Sequence, residues 1–225
     1  MLILPQLGAP GVAAHQVFRI CGFRVVYGPV RARDIKEFLS NGMKTTVEMR
    51  KVSFELKERA ILTPIELMHN LKPLLLIFLV LFALNLTAGK QASISTAAYT
   101  AFLNFIPYLS AILIGCVAVP VLLPWIPFRS FAMKGLLMGL IPAAYTMLYP
   151  GVFGYNNASW LVKAAYMLII PVIASFLSLN FTGSTTYTSF SGVKKEMKFA
   201  LLPYIAAATL GVILIAADSI IRVFY

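Results

Sequence analysis

The 225-residue chain is 60% hydrophobic and only 12% charged, with a formal net charge of +11 and a mean hydropathy of +0.84. Ordinary soluble domains are about 45–50% apolar and about 25% charged, so a single soluble globular domain is excluded. Charge is uneven along the chain: residues 1–72 hold 11 Lys/Arg and six Asp/Glu, residues 73–225 only eight and two. The pattern reads as a soluble third followed by a membrane two-thirds.

Residues 1–7 lack the basic n-region of a secretory signal, and Pro5 and Gly8 interrupt the apolar run, so no signal peptide is expected. Residues 2–5 read as a strand end that breaks into Gly8-Ala9-Pro10-Gly11. Residues 11–20 read as a helix with Val12, Val17 and Phe18 as its apolar side. FRVVY (23–27) is a second strand, broken by Gly28-Pro29, and residues 34–40 form a short helix stopped by Asn41-Gly42. Val52, Phe54 and Leu56 alternate in KVSFEL, which predicts a third strand. Thr63-Pro64-Ile65-Glu66 has the form of a capping box with proline at the first helical position, opening a helix that runs through Lys72.

Alternation of strands and helices favours a parallel α/β sheet, Rossmann-like in order. Both Gly-rich turns, LGAPG and YGPVRA, follow strand C-terminal ends, where open α/β sheets bind ligands. Three short strands with two short crossovers cannot cover both faces of such a sheet, so residues 1–62 read as the back end of a domain. Each candidate also has a plainer reading. Gly8 and Gly11 would close a tight turn; Arg31 would pair with Asp34; His15 and His69 have no partner at metal-ligand spacing.

A connecting helix over 63–72 leads into a membrane domain over 73–225. Spans of about 20 apolar residues are expected near 73–89, 108–128, 131–149, 159–179 and 199–221, the second with an amphipathic lead from Ile94. Arg129 and Lys134, and Lys194, Lys195 and Lys198, put two short loops on the same side as the basic first third. By the positive-inside rule that side is the cytoplasm, the C-terminus lies outside, and the protein is multi-pass in the cytoplasmic membrane. The net charge then needs no nucleic acid. Cys21 and Cys116, far apart in different segments, argue against a disulfide framework.

LILPQLGAPGVAAH, GFRVVYGPVRARDIKEFL and NGMKTTVEMRKVSFELKERAILTPIEL resemble the last part of the corrinoid-binding domain in the corrinoid iron–sulfur protein of acetyl-CoA synthesis. They resemble more closely the membrane-attached relatives of that protein, the mercury-methylating corrinoid proteins, in which a five-helix membrane domain follows. NFTGSTTYTSFSGVKKEMK (180–198) and LLPWIPFRSFAMKG (122–135) are similar to that family's two cytoplasmic loops. The resemblance covers nearly all of the chain. The family's hallmark, of the type Asn-Val-Trp-Cys-Ala-Ala-Gly-Lys, carries the cysteine that ligates cobalt from below. It is not in this sequence, and neither Cys21 nor Cys116 has its surroundings. The expectation is a C-terminal part of such a protein, inactive alone, whose other corrinoid half is missing from the sequence or is a separate chain.

What the resemblance implies is methyl transfer by a cobalamin-type corrinoid from a methylated-pterin-dependent donor system to mercury(II). A ferredoxin-like protein would be the reductant. Gly8, Ala9, Gly11 and Val12, with Gly28, Pro29, Val30 and Arg31, would line the corrinoid's nucleotide tail or ring edge, mostly through backbone. The hydroxyl-rich loop TGSTTYTSFSG, with Thr182, Ser184, Thr185, Thr186, Thr188 and Ser191, would dock the soluble domain or line a path for mercury(II). Its plainer reading is a linker whose Ser191 caps the next helix. Two other functions stay open: a corrinoid methyl carrier for another one-carbon acceptor, and a non-catalytic membrane scaffold or transporter with an α/β remnant.

Overall fold

The structure is a computed structural model that describes residues 1–51, 55–88, 93–154, 159–181 and 190–224. The chain divides into two compact units, Met1–Ser53 and Phe54–Tyr225.

In the first unit, β1 (Leu2–Leu4) and β2 (Val25–Tyr27) pair in parallel, with Leu2 opposite Val25 and Leu4 opposite Tyr27. Parallel neighbours need a crossover, and α1 (Ala14–Cys21) supplies it. Gly22 ends α1 in the left-handed region (φ +68°), its amide donating to the Phe18 carbonyl at 2.9 Å. The expected apolar side of this helix is not a buried one. Val12 and Val17 are half-buried and Phe18 is 60% exposed, because two three-residue strands offer too little surface to cover a helix. The unit's small core is Val30, Phe38 and Met49, with Phe38 contributed by α2 (Ile35–Ser40).

The described residues therefore hold a two-stranded parallel sheet, and a Rossmann-like domain is not shown. Of the expected third strand, residues 52–54 lie outside the described residues, and Leu56 opens a helix instead. That helix, α3 (Leu56–His69), starts seven residues before the expected box. Glu55 caps it, with the Glu58 carboxylate reaching back to the Glu55 amide at 3.4 Å. Thr63 and Pro64 thus sit inside α3. Pro64 has no amide for the Ala60 carbonyl, and the Thr63 hydroxyl takes its place there at 2.9 Å. A proline that read as a start signal is a repaired interior position.

The second unit is an α-helical membrane domain. Among the described residues, four helices are long and apolar enough to cross a membrane: Ile94–Leu122, Phe131–Leu148, Trp160–Phe181 and Gly192–Ile221. A fifth arises if Leu56–His69 and Leu71–Leu86, bent by 47° where Asn70 interrupts them, form one broken span. The elements are α4 (Leu71–Ala88), α5 (Ile94–Leu113), a π-helical turn (Ile114–Ala118), α6 (Val119–Leu122), α7 (Phe131–Leu148), α8 (Trp160–Phe181) and α9 (Phe190–Phe224). The second span begins at Ile94, well before residue 108, and its helix ends at Leu122 rather than 128. Polar Thr96, Thr100 and Asn104 lower the hydropathy of its first half. Yet Ala97, Ala101, Asn104, Pro107 and Ala111 recur every three or four residues and are buried together.

Packing between α7 and α8 rests on Gly135 and Gly139, four residues apart. A Cβ at Gly135 would lie 2.6 Å from the Ser175 Cα, and one at Gly139 would lie 2.7 Å from the Pro171 Cα. Small residues at this spacing let two helix backbones approach closely in lipid, where apolar burial alone gives no preference for protein over acyl chain. Ser175, fully buried, donates to the Ala132 carbonyl at 2.5 Å and meets the Tyr204 hydroxyl at 2.5 Å, joining α7, α8 and α9.

Candidate functional site

The first unit has a half-open cavity of about 390 Å³ at the C-terminal ends of its two parallel strands. Gly28, Pro29 and Val30 form one wall; Gln6, Tyr27, Thr45, Met49 and Arg50 form the rest. The position is that of ligand sites in open α/β sheets.

The chain reaches this arrangement through paired extensions of the strands. Beyond β1 the Gln6 amide donates to the Pro29 carbonyl at 2.9 Å, and beyond β2 the Val30 amide donates to the Met49 carbonyl at 3.1 Å. The second bond draws residues 45–50 over the strand ends. They arrive there because α2 stops at a tight reversal in which Gly42 (φ +64°) and Met43 (φ +63°) are both left-handed. A left-handed methionine costs about 1–2 kcal/mol, offset here by its amide donating to the Phe38 carbonyl at 2.9 Å.

These hydrogen bonds change what the wall can offer. The Gly28 amide donates to the Leu4 carbonyl, the Val30 amide is taken by Met49, and Pro29 has none. The backbone expected to cradle a ligand is therefore occupied, and polar recognition falls to side chains. Gly28 is glycine for a packing reason: a Cβ there would meet the Phe38 ring at 3.2 Å and Ile3 at 3.4 Å.

Arg50 is the strongest polar group of the cavity. Its Nε donates to the Thr45 hydroxyl at 2.8 Å, and no acceptor among the described residues takes its terminal nitrogens. A guanidinium held through Nε presents a planar fork suited to phosphate or carboxylate. The Tyr27 hydroxyl donates to the Val12 carbonyl at 2.5 Å, anchoring the first loop against β2.

Of the eight residues expected at the site, the cavity gathers Gly28, Pro29 and Val30. Gly8, Ala9 and Gly11 lie in a 3-10 turn (Gln6–Gly11) off the cavity lining, where the Gly8 amide donates to Pro5 and the Val12 amide to Ala9. Arg31 stands just before the next 3-10 turn, Ala32–Asp34, and does not line the cavity, while Asp34 pairs with Arg33 at 3.6 Å. Thr45 and Arg50 carry no local sign of a site in the sequence, because only the 42–43 reversal brings them to the strand ends, whereas Gln6 is there directly after β1. The doubled positive φ has a sequence signal in Asn41-Gly42, but the signal says nothing of where the chain goes next.

In the membrane unit, Thr182, Ser184, Thr185, Thr186 and Thr188 lie outside the described residues. Ser191 lies in the first turn of α9 (Phe190–Phe224). Cys21 is exposed at the end of α1; Cys116 is buried in the π-helical turn, with the Asn70 amide 3.5 Å from its sulfur. The described residues hold no group of three or more His, Cys, Asp or Glu able to bind a metal ion.

Compared with protein-family models, curated proteins and solved structures, the chain matches none.

Proposed function

We propose that this chain is the membrane-anchored part of a corrinoid-dependent methyltransferase, with mercury(II) as the methyl acceptor. The sequence resemblance motivates the reading, and one observation carries it furthest: a cavity at the ends of two parallel strands, walled by Gly28-Pro29-Val30 and fronted by the Arg50 fork.

A corrinoid would fit this cavity only in part. A volume of about 390 Å³ lies at the lower end of the roughly 300–1,000 Å³ of small-molecule pockets. It suits the nucleotide tail and is too small for the macrocycle. Arg50, steadied by Thr45, would pair with the tail phosphate, and Gln6 and Tyr27 would meet its polar edges. Such a corrinoid, when bound, supplies the cobalt chemistry that carries a methyl group, while the protein supplies orientation and electronics. The cobalt-ligating cysteine would come from a capping segment other than the residues of this cavity. The helices of the second unit would hold the reaction at the bilayer, and reductant and methylated-pterin donor would be partners on the cytoplasmic side.

The deciding experiment is the intact mass of the native membrane protein, purified through its C-terminus, with cobalt assayed on the same sample. A product heavier than 24.7 kDa that carries cobalt supports the proposal. A product at 24.7 kDa without cobalt sinks methyl transfer by this polypeptide and favours a scaffold role.

A further inference from the structure

The second unit has a cavity of its own, about 270 Å³, at the end of the bundle where α7 begins. Two cations line it, Arg129 and Lys134, among Leu123, Pro124, Phe128 and Phe131. We infer that this cavity takes the phosphate of an anionic membrane lipid headgroup.

Lys134 is the first reason. It lies one turn inside α7 and is only 9% exposed. Its ammonium donates to the Leu123 carbonyl and stands 5.9 Å from the Phe131 ring centroid. That is one acceptor for a group with three donors, and no carboxylate pairs with it among the described residues. A buried cation is costly without a counter-charge, and the cavity it lines is where one fits.

The obvious internal anion is committed elsewhere. The Glu196 carboxylate accepts the amides of Phe131 at 3.1 Å and Ala132 at 3.5 Å, and the Ser130 hydroxyl accepts the amide of Met133 at 3.3 Å. The N-terminus of α7 is thereby already capped, so the attraction for a second anion comes from the side chains.

The surroundings carry the same sign. Glu196 brings the first turns of α9 to this end, and with them exposed Lys194, Lys195 and Lys198. In the adjoining turn Trp125 is 63% exposed and Phe128 52%, as aromatic residues are at a membrane–water boundary. Beneath Trp125, 5.9 Å from its ring, lies the guanidinium of Arg59, buried, with Nη1 lacking a hydrogen-bond partner among the described residues. A basic pocket between helices, rimmed by aromatics at the bilayer surface, matches a phospholipid headgroup in charge, size and position. Free phosphate shares the chemistry but has no use for the aromatic rim.

The test uses the full chain in lipid nanodiscs, with binding of a spin-labelled phosphatidylglycerol read against the same label on phosphatidylcholine. Wild type is expected to prefer phosphatidylglycerol, and R129Q, at an exposed position, to lose about fivefold of that preference. A K134M variant should lose at least as much, provided its helical circular dichroism is unchanged. Millimolar inorganic phosphate should not compete. Equal binding of the two lipids, or an R129Q variant like wild type, overturns the inference. So does a K194Q/K195Q double variant that loses as much as R129Q, since that marks a diffuse basic surface. Competition by inorganic phosphate overturns the lipid as its occupant.

Discussion

The carboxylate of Glu196, in the first turns of α9, caps the amide of Phe131 at the start of α7, 3.1 Å away and 65 residues earlier in the chain. A helix start carries unsatisfied amides and partial positive charge, and here another helix supplies the counter-charge. The contact fixes the separation of α7 and α9 at the end where both are surrounded by basic side chains.

Replacing Glu196 with alanine removes that acceptor while Ser130 remains. The expected cost is about 1–2 kcal/mol, and E196Q should recover part of it because the amide oxygen still accepts but carries no charge. Thermal unfolding of the purified chain in detergent, followed by circular dichroism, measures both variants. Identical melting for E196Q and E196A would show that the hydrogen bond contributes nothing.

Gly135 and Gly11 make a matched pair. A Cβ at Gly135 collides with the Ser175 Cα at 2.6 Å, whereas one at Gly11 meets nothing within 4 Å. G135A should therefore destabilise by about 1–3 kcal/mol through overpacking of α7 on α8, and G11A should change stability by less than about 0.5 kcal/mol. Expression level and melting of the two variants side by side decide it.

Thr63 and Pro64 should be coupled. With Pro64 present, T63V strands the Ala60 carbonyl and is expected to cost about 1 kcal/mol. In the P64A background a backbone amide returns to that carbonyl, and the cost of T63V should fall well below that of the single variant. A double-mutant cycle reads the difference directly. Additive effects would mean the hydroxyl does not substitute for the missing amide.

Arg50 carries the recognition assigned to the first unit's cavity. If the proposed corrinoid tail lies there, R50Q in the native protein should lower retained cobalt per polypeptide by about tenfold, the loss of one charge-assisted pair. T45V, which frees Arg50 from its 2.8 Å support, should have a smaller effect of the same sign. R31Q, off the cavity lining, should leave cobalt retention unchanged. Equal loss from all three would point to general instability of the unit.

Much of the architecture was legible without coordinates because its signals are local. A run such as PLLLIFLVLFALNL can only be a buried or lipid-facing helix, and α4 lies on it. The strands at residues 2–5 and 23–27 were legible for the same reason, bounded by glycine and proline. Sequence is ambiguous where one residue type serves two geometries. Pro64 at a helix start and Pro64 inside a helix look alike in sequence; only the Thr63 hydroxyl on the Ala60 carbonyl makes the second tolerable. The first half of the second span reads as an amphipathic lead because Thr96, Thr100 and Asn104 are polar, although the helix buries Asn104.

The sequence by itself determined the division into a charged N-terminal unit and a hydrophobic helical one, since composition sets which solvent a segment tolerates. Tertiary structure alone decided which cations meet. Arg50 reaches the strand ends through a reversal at Gly42-Met43, and Glu196 with its flanking lysines meets the start of α7 from 65 residues further along the chain. Charges act through distance, and distance between residues remote in sequence is set by how the helices and strands pack.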